Sequence, residues 1–86
     1  MSVDPFRCQI TDYFEAAIVL KYQLEVTHNT HGMLFGIAVD MKPIDRKETV
    51  IFKTPTREYR LLLDDISHVN VLTPGAQFKT IPYFLG

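Results

Sequence analysis

Asp12 and Glu15, three residues apart with Tyr13 between them, are the side chains in this sequence with the most chemistry to offer. At that spacing an acceptor and a returning carboxylate can satisfy the free N–H groups of a first helical turn, which is worth about 1 kcal/mol to the helix. Turned outward, the same two carboxylates can meet a basic partner. Opposite charges about 4 Å apart attract by ~4 kcal/mol at an effective dielectric of 20, before desolvation is subtracted. A pair left in water is worth only ~0.2–1 kcal/mol. Any binding through Asp12 and Glu15 therefore requires partial burial against a partner, and on the residues alone the capping role comes first. The two roles are compatible, because a cap uses one carboxylate oxygen and leaves the other outward.

The remaining candidates read more plainly. His28 and His31 flank a polar turn and His68 lies far along the chain, without a cysteine or carboxylate at ligand spacing, so an exposed turn is expected and a zinc site is not. Gly32 and Gly36 do not form a phosphate-cradling pattern. No nucleophile has a base placed beside it by any local pattern, and Asp64-Asp65 reads as a turn after a strand. Cys8, the single cysteine, excludes a disulfide within the chain and fits a reducing compartment, where it serves as a small apolar filler. No catalytic residue, metal or cofactor is expected. Lys42, Arg46, Lys47, Lys53 and Arg57 crowd one stretch that Asp45 and Glu48 balance, which is the pattern of a solvated loop. The alternative is an RNA-contacting edge, weakened because Phe52 and Tyr59 read as core by strand alternation.

The elements that must position these residues follow from patterning. With 86 residues the chain is expected to form one domain, burying roughly 60% of its unfolded surface. Hydrophobic residues make up 47% and charged residues 22%, an ordinary globular balance. The net charge of −1 and pI near 6.2 give no reason to expect direct nucleic-acid binding. The first five residues lack signal-peptide features and the apolar runs are short, so no membrane span and a cytoplasmic location are expected. The spacing predicts a short helix over residues 11–18, with Asp12 as N-cap and Phe14, Ala17 and Ile18 as its apolar stripe. Strands are expected at 20–26, 33–41, 48–53, 58–63 and 66–73. Gly36 marks a bend, residues 42–47 form a charged loop around Pro43, and 48–53 is interior because it is apolar on both faces. A helix followed by five short strands without crossover spacing is mostly β. It predicts a small, strongly bent five-stranded barrel of the Sm-like or SH3-like kind over 19–73. The apolar extension 76–86 (Phe78, Ile81, Tyr83, Phe84, Leu85) is expected to pack back or add an edge strand; the alternative is a docking or pairing segment of a scaffold domain.

Taken in order, Cys8, the acidic segment 12–17 and strand 20–26 resemble the Rho-binding antiterminator (Rof) family. The likeness continues through Gly32, Gly36-Ile37-Ala38-Val39-Asp40, Arg46-Lys47-Glu48, Glu58-Tyr59-Arg60-Leu61 and Asp64-Asp65-Ile66. It spans roughly residues 5–69; no single motif is specific, and their order and spacing carry it. The resemblance implies a helix plus an Sm-like barrel akin to an RNase P protein subunit. It also implies binding to the termination factor Rho, at the primary RNA site of its amino-terminal OB-type domain, with inhibition of termination. Asp12 and Glu15 stand at the family's acidic helix positions, Arg46-Lys47 stand at its basic pair, and the resemblance implies Tyr13, between the acids, as a stacking partner for the RNA-binding groove. The chain departs from the family in its near-balanced charge, a longer loop before Arg46, and the stretch Phe78 to Leu85.

Overall fold

The structure is a computed structural model and describes residues 5–81, with side chains from residue 10 onward. Its first element is a single helix, α1 (Pro5–Leu20). Proline is well suited to a first helical position, where its missing N–H would have no partner and its fixed φ is already helical. The expected start at residue 11 is therefore corrected by almost two turns. Asp12 and Glu15 lie in mid-helix, where backbone N–H groups are bonded within the helix, so the predicted capping box does not form. The buried stripe is Ile10, Phe14 and Ala17, spaced i, i+4, i+7, with Phe14 and Ala17 fully buried.

The helix ends on Lys21, a non-glycine residue with φ of 55°. The Tyr22 N–H donates to the Ala17 carbonyl at 3.0 Å and the Lys21 N–H to the Ile18 carbonyl at 3.3 Å, the paired bonds of a Schellman cap. Tyr22 then folds into the same core as Ala17. Leu20, read from sequence as the start of a strand, is the last helical residue.

Five strands follow: β1 (Leu24–His28), β2 (Gly32–Ile44), β3 (Lys47–Lys53), β4 (Glu58–Leu62) and β5 (Ile66–Val71). All pairings are antiparallel and the spatial order is β4-β3-β2-β1-β5. The strand count and mostly-β class match expectation. The sheet is open: β4 and β5 are its two edges, and no ladder joins them. Yet only one 3-10 turn (Leu63–Asp65) connects these edges in sequence, so the sheet must curl to bring their ends together. Two irregularities help it bend, at Val39 between Ala38 and Asp40 in β2 and at Ser67 in β5 opposite Thr27 and His28. Gly36 is where β2 passes from β1 to β3. A Cβ there would collide with the Lys53 carbonyl and crowd Thr54, so only glycine fits.

β2 is longer than expected and absorbs Lys42 and Pro43; the predicted charged loop is a hairpin. Its second half pairs only with β3, so the missing N–H of Pro43 faces an unpaired side, where proline is tolerated. The connection is Asp45-Arg46, with φ of 51° and 67°. Two successive positive φ values in a two-residue hairpin define a type I′ turn, whose twist matches the strands. β3 is buried at Thr49, Val50, Ile51 and Phe52, as its two-faced apolar pattern predicts. In β2 the inward row is Leu34, Gly36 and Ala38, while Met33, Phe35 and Val39 face out.

Candidate partner-binding surface

Asp12 and Glu15 are both exposed, and with Val19 they follow the i, i+3, i+7 spacing of one helix face, the face opposite Phe14 and Ala17. Val19 is 75% exposed, so this ridge carries two acids and an aliphatic side chain. Because α1 packs against β2 through its other face, the ridge is held by the core and not by its own side chains. Tyr13 stands at the border between the two faces. It is half-buried, its ring meeting Phe78 edge-on with centroids 4.8 Å apart at 82°. The sequence placed Tyr13 as a freely offered stacking group; the structure has one side of it already occupied.

Arg46 and Lys47 are exposed at the β2–β3 turn. Thr49 Oγ1 donates to the Lys47 carbonyl at 3.0 Å, bracing the strand just past the turn. The five candidate residues thus fall on two features, the helix ridge and the hairpin tip. No hydrogen bond or ion pair joins the two sets among the described residues.

The turn from Asn29 to Gly32 is exposed as expected, His31 included, but His28 is not part of that exposure. His28 is 7% exposed and its Nδ1 accepts the backbone N–H groups of Thr30 at 3.1 Å and His31 at 3.2 Å. The ring is the organiser of the β1–β2 turn, with Nδ1 deprotonated. Burial pushes its pKa below the usual histidine value, the neighbouring His31 adds to the shift, and Asp65 opposes it. The Asn29 N–H donates to the Asp65 carbonyl at 2.8 Å, tying the turn to the link between the sheet edges. His31 lies 4.8 Å from His28 and 5.0 Å from Tyr59, ring to ring, and the Arg57 guanidinium sits 5.6 Å above the Tyr59 ring. Phe52 is fully buried, as expected, but Tyr59 is only half so. Among the described residues, no group of three or more His, Cys, Asp or Glu side chains is gathered to hold a metal. No described helix is long and apolar enough to cross a membrane.

Sequence reasoning also missed the outward face of β1, β2 and β5. Met33 and Phe35 are 54% and 51% exposed there. Beside them Asn70 Nδ2 donates to Glu25 Oε1 at 2.9 Å, and His68 Nε2 and Asn70 Oδ1 lie 3.1 Å apart. The signal was present in the register, since Phe35 pairs with Glu25 and Glu25 with Asn70.

The described residues thus form one helix laid across a curled, open antiparallel sheet, with an acidic ridge on the helix and a basic tip on the β2–β3 hairpin. The chain matches, over residues 5–83, the family described as "Modulator of Rho-dependent transcription termination (ROF)", and it belongs to that family. Among solved structures it is similar to "YaeO bound to Magnesium from Vibrio cholerae O395", at 20% identity and a TM-score of 0.73, covering 84% of this chain and 95% of the other. That likeness speaks to the fold. No curated protein matches the chain.

Proposed function

We propose that this protein binds Rho directly through the α1 ridge and blocks the primary RNA site on the amino-terminal OB-type domain. In this reading it is a non-enzymatic, cytoplasmic antiterminator. Membership of a family that modulates Rho-dependent termination supplies the partner. The observation that carries the contact is the placement of Asp12 and Glu15: exposed, on one ridge, and not consumed as caps. A groove that holds single-stranded RNA combines positive charge with aromatic platforms. Two carboxylates flanking a tyrosine offer that groove substitutes for phosphates and a base, with Arg46 and Lys47 meeting its rim.

The test is titration of the protein into purified Rho with a cytidine-rich oligonucleotide as competitor. Competition between the two ligands supports the reading. The double variant Asp12→Lys, Glu15→Lys, shown folded by its circular dichroism, is expected to lose binding. Wild-type affinity in that variant would overturn the assignment of the surface.

One observation favours a second reading, an RNA-binding module using the basic stretch 42–57: Tyr59 is partly accessible, with Arg57 over its ring and His31 at its edge. Its mark is affinity for single-stranded RNA that falls steeply with salt.

A further inference from the structure

We infer that Phe78 is a positioning residue of the partner-binding surface, holding the Tyr13 ring in the one orientation that the helix ridge presents to Rho. The inference rests on the helix-ridge reading above and extends that surface to the strap after β5, which lies inside the family match of residues 5–83 although the resemblance drawn from sequence stopped near residue 69. After β5 the chain turns at Pro74-Gly75, where Gly75 has a φ of 75°, and runs back along the free edge of β5. The Val71 N–H donates to the Lys79 carbonyl at 2.7 Å and the Ile81 N–H to the Val69 carbonyl at 3.1 Å. Ile81 is 3% exposed, so this return strap is pinned by a core side chain as well as by the backbone.

Between the turn and those anchors the strap meets the helix. The Gln77 N–H donates to the Tyr22 hydroxyl at 3.1 Å. Phe78 fits between two tyrosines, edge-on to Tyr13 at 4.8 Å and to Tyr22 at 5.5 Å and 71°. Edge-on aromatic pairs of this kind are favourable beyond the area they bury. A helical tyrosine has two accessible χ1 rotamers, and a ring packed against one side of it selects between them. Tyr13 is the border residue, next to Asp12 on the ridge and Phe14 in the core, so its χ1 decides whether an aromatic edge stands beside the acids. Fixing the ring before binding removes an ordering penalty from association.

The experiment compares Rho binding for the full-length chain and four variants: Phe78→Leu, Phe78→Tyr, Tyr13→Ala, and Tyr13→Ala with Phe78→Leu. Tyr13 ring resonances are followed by NMR. Phe78→Leu keeps apolar bulk but removes the ring. It is expected to shift the Tyr13 resonances and weaken binding about five- to tenfold, while Phe78→Tyr keeps wild-type affinity. Tyr13→Ala and the double variant are expected to bind equally weakly, because Phe78 acts through Tyr13. Shifted Tyr13 resonances with unchanged affinity would overturn the inference, as would additive losses in the double variant. Both outcomes leave the helix-ridge reading intact if Asp12→Lys, Glu15→Lys still abolishes binding. Loss of binding in neither set would remove the ridge itself.

Discussion

The helix ridge and the β2–β3 hairpin tip both offer exposed charge, but they are held in place very differently. The ridge stands on a helix whose other face contributes Phe14 and Ala17 to the core, and whose flank is braced by Phe78. The tip hangs on two residues in left-handed backbone, Asp45 and Arg46, at the end of a strand half that is paired on one side only. In the proposed complex a partner would meet the ridge as a preformed surface, with little left to order on binding. At the tip it would meet solvated charge, which steers encounter more than it stabilises a complex.

The largest way to break the contrast is to unseat the ridge from behind. Phe14 is fully buried beneath α1. Phe14→Ala is expected to destabilise the protein by about 3–5 kcal/mol, read as a lower chemical-denaturation midpoint, with Rho affinity lost in proportion to the helix. The contrast is sharpened by comparing the two surfaces in an otherwise intact fold. Asp12→Ala and Glu15→Ala should each weaken binding by ~2 kcal/mol or more through faster dissociation, if their carboxylates are desolvated against Rho. Arg46→Ala with Lys47→Ala should cost less than ~1 kcal/mol, seen mainly as a slower, salt-sensitive association rate. Equal effects from both surfaces would dissolve the distinction.

The other hairpin turn, between β1 and β2, supplies a pH test of what rigid support means here. His28 is neutral with Nδ1 receiving two N–H groups, and its pKa is depressed by burial and then by His31, against the pull of Asp65. The unfolded chain therefore binds a proton more readily than the folded one. Stability from this group is fully present above the ordinary histidine value near 6.5 and is lost as pH falls through the lowered folded value. Thermal unfolding from pH 8 to pH 5 should show a falling Tm that His28→Gln flattens. A wild-type profile that stays flat, or that the substitution leaves unchanged, would place the turn's organisation elsewhere.

The sequence was most legible where one pattern had no competitor. Alternation located all five strands to within a few residues, and the two-faced apolar run of β3 marked it as interior. It misled where two signals overlapped. Asp12 and Glu15 mimic a capping box so well that they masked the earlier start at Pro5, and the ridge became visible only once the helix had its true length. In β2 the more apolar row, Met33, Phe35 and Val39, faces solvent. The inward row contains Gly36 and Ala38, because α1 packs against this strand and the Lys53 backbone crosses at Gly36. Close packing selects for small side chains there, which no hydropathy count rewards. The polar cluster 27–32 reads as one exposed turn, which hides that His28 is the buried last residue of β1. Its role in the turn depends on two backbone N–H groups that only the fold aims at it.

The smallest effect is the most discriminating, because it changes the tip's backbone without adding or removing a contact in the core. Arg46 occupies the second central position of a type I′ turn with φ of 67°. An ordinary L-residue in that conformation costs roughly 1–2 kcal/mol, partly offset for glycine by its greater freedom in the unfolded chain. Arg46→Gly produces the Asp-Gly pair that such turns favour, so stability should rise by ~0.5–1 kcal/mol. The backbone strain of the turn is thereby relieved while one positive charge is lost. If the tip contributes only steering, Rho affinity should fall by less than about threefold, with the loss vanishing as salt screens the charge. A tenfold or larger loss that persists at high salt would mean that the Arg46 guanidinium is buried in the complex. The tip would then belong with the ridge as part of the docking surface.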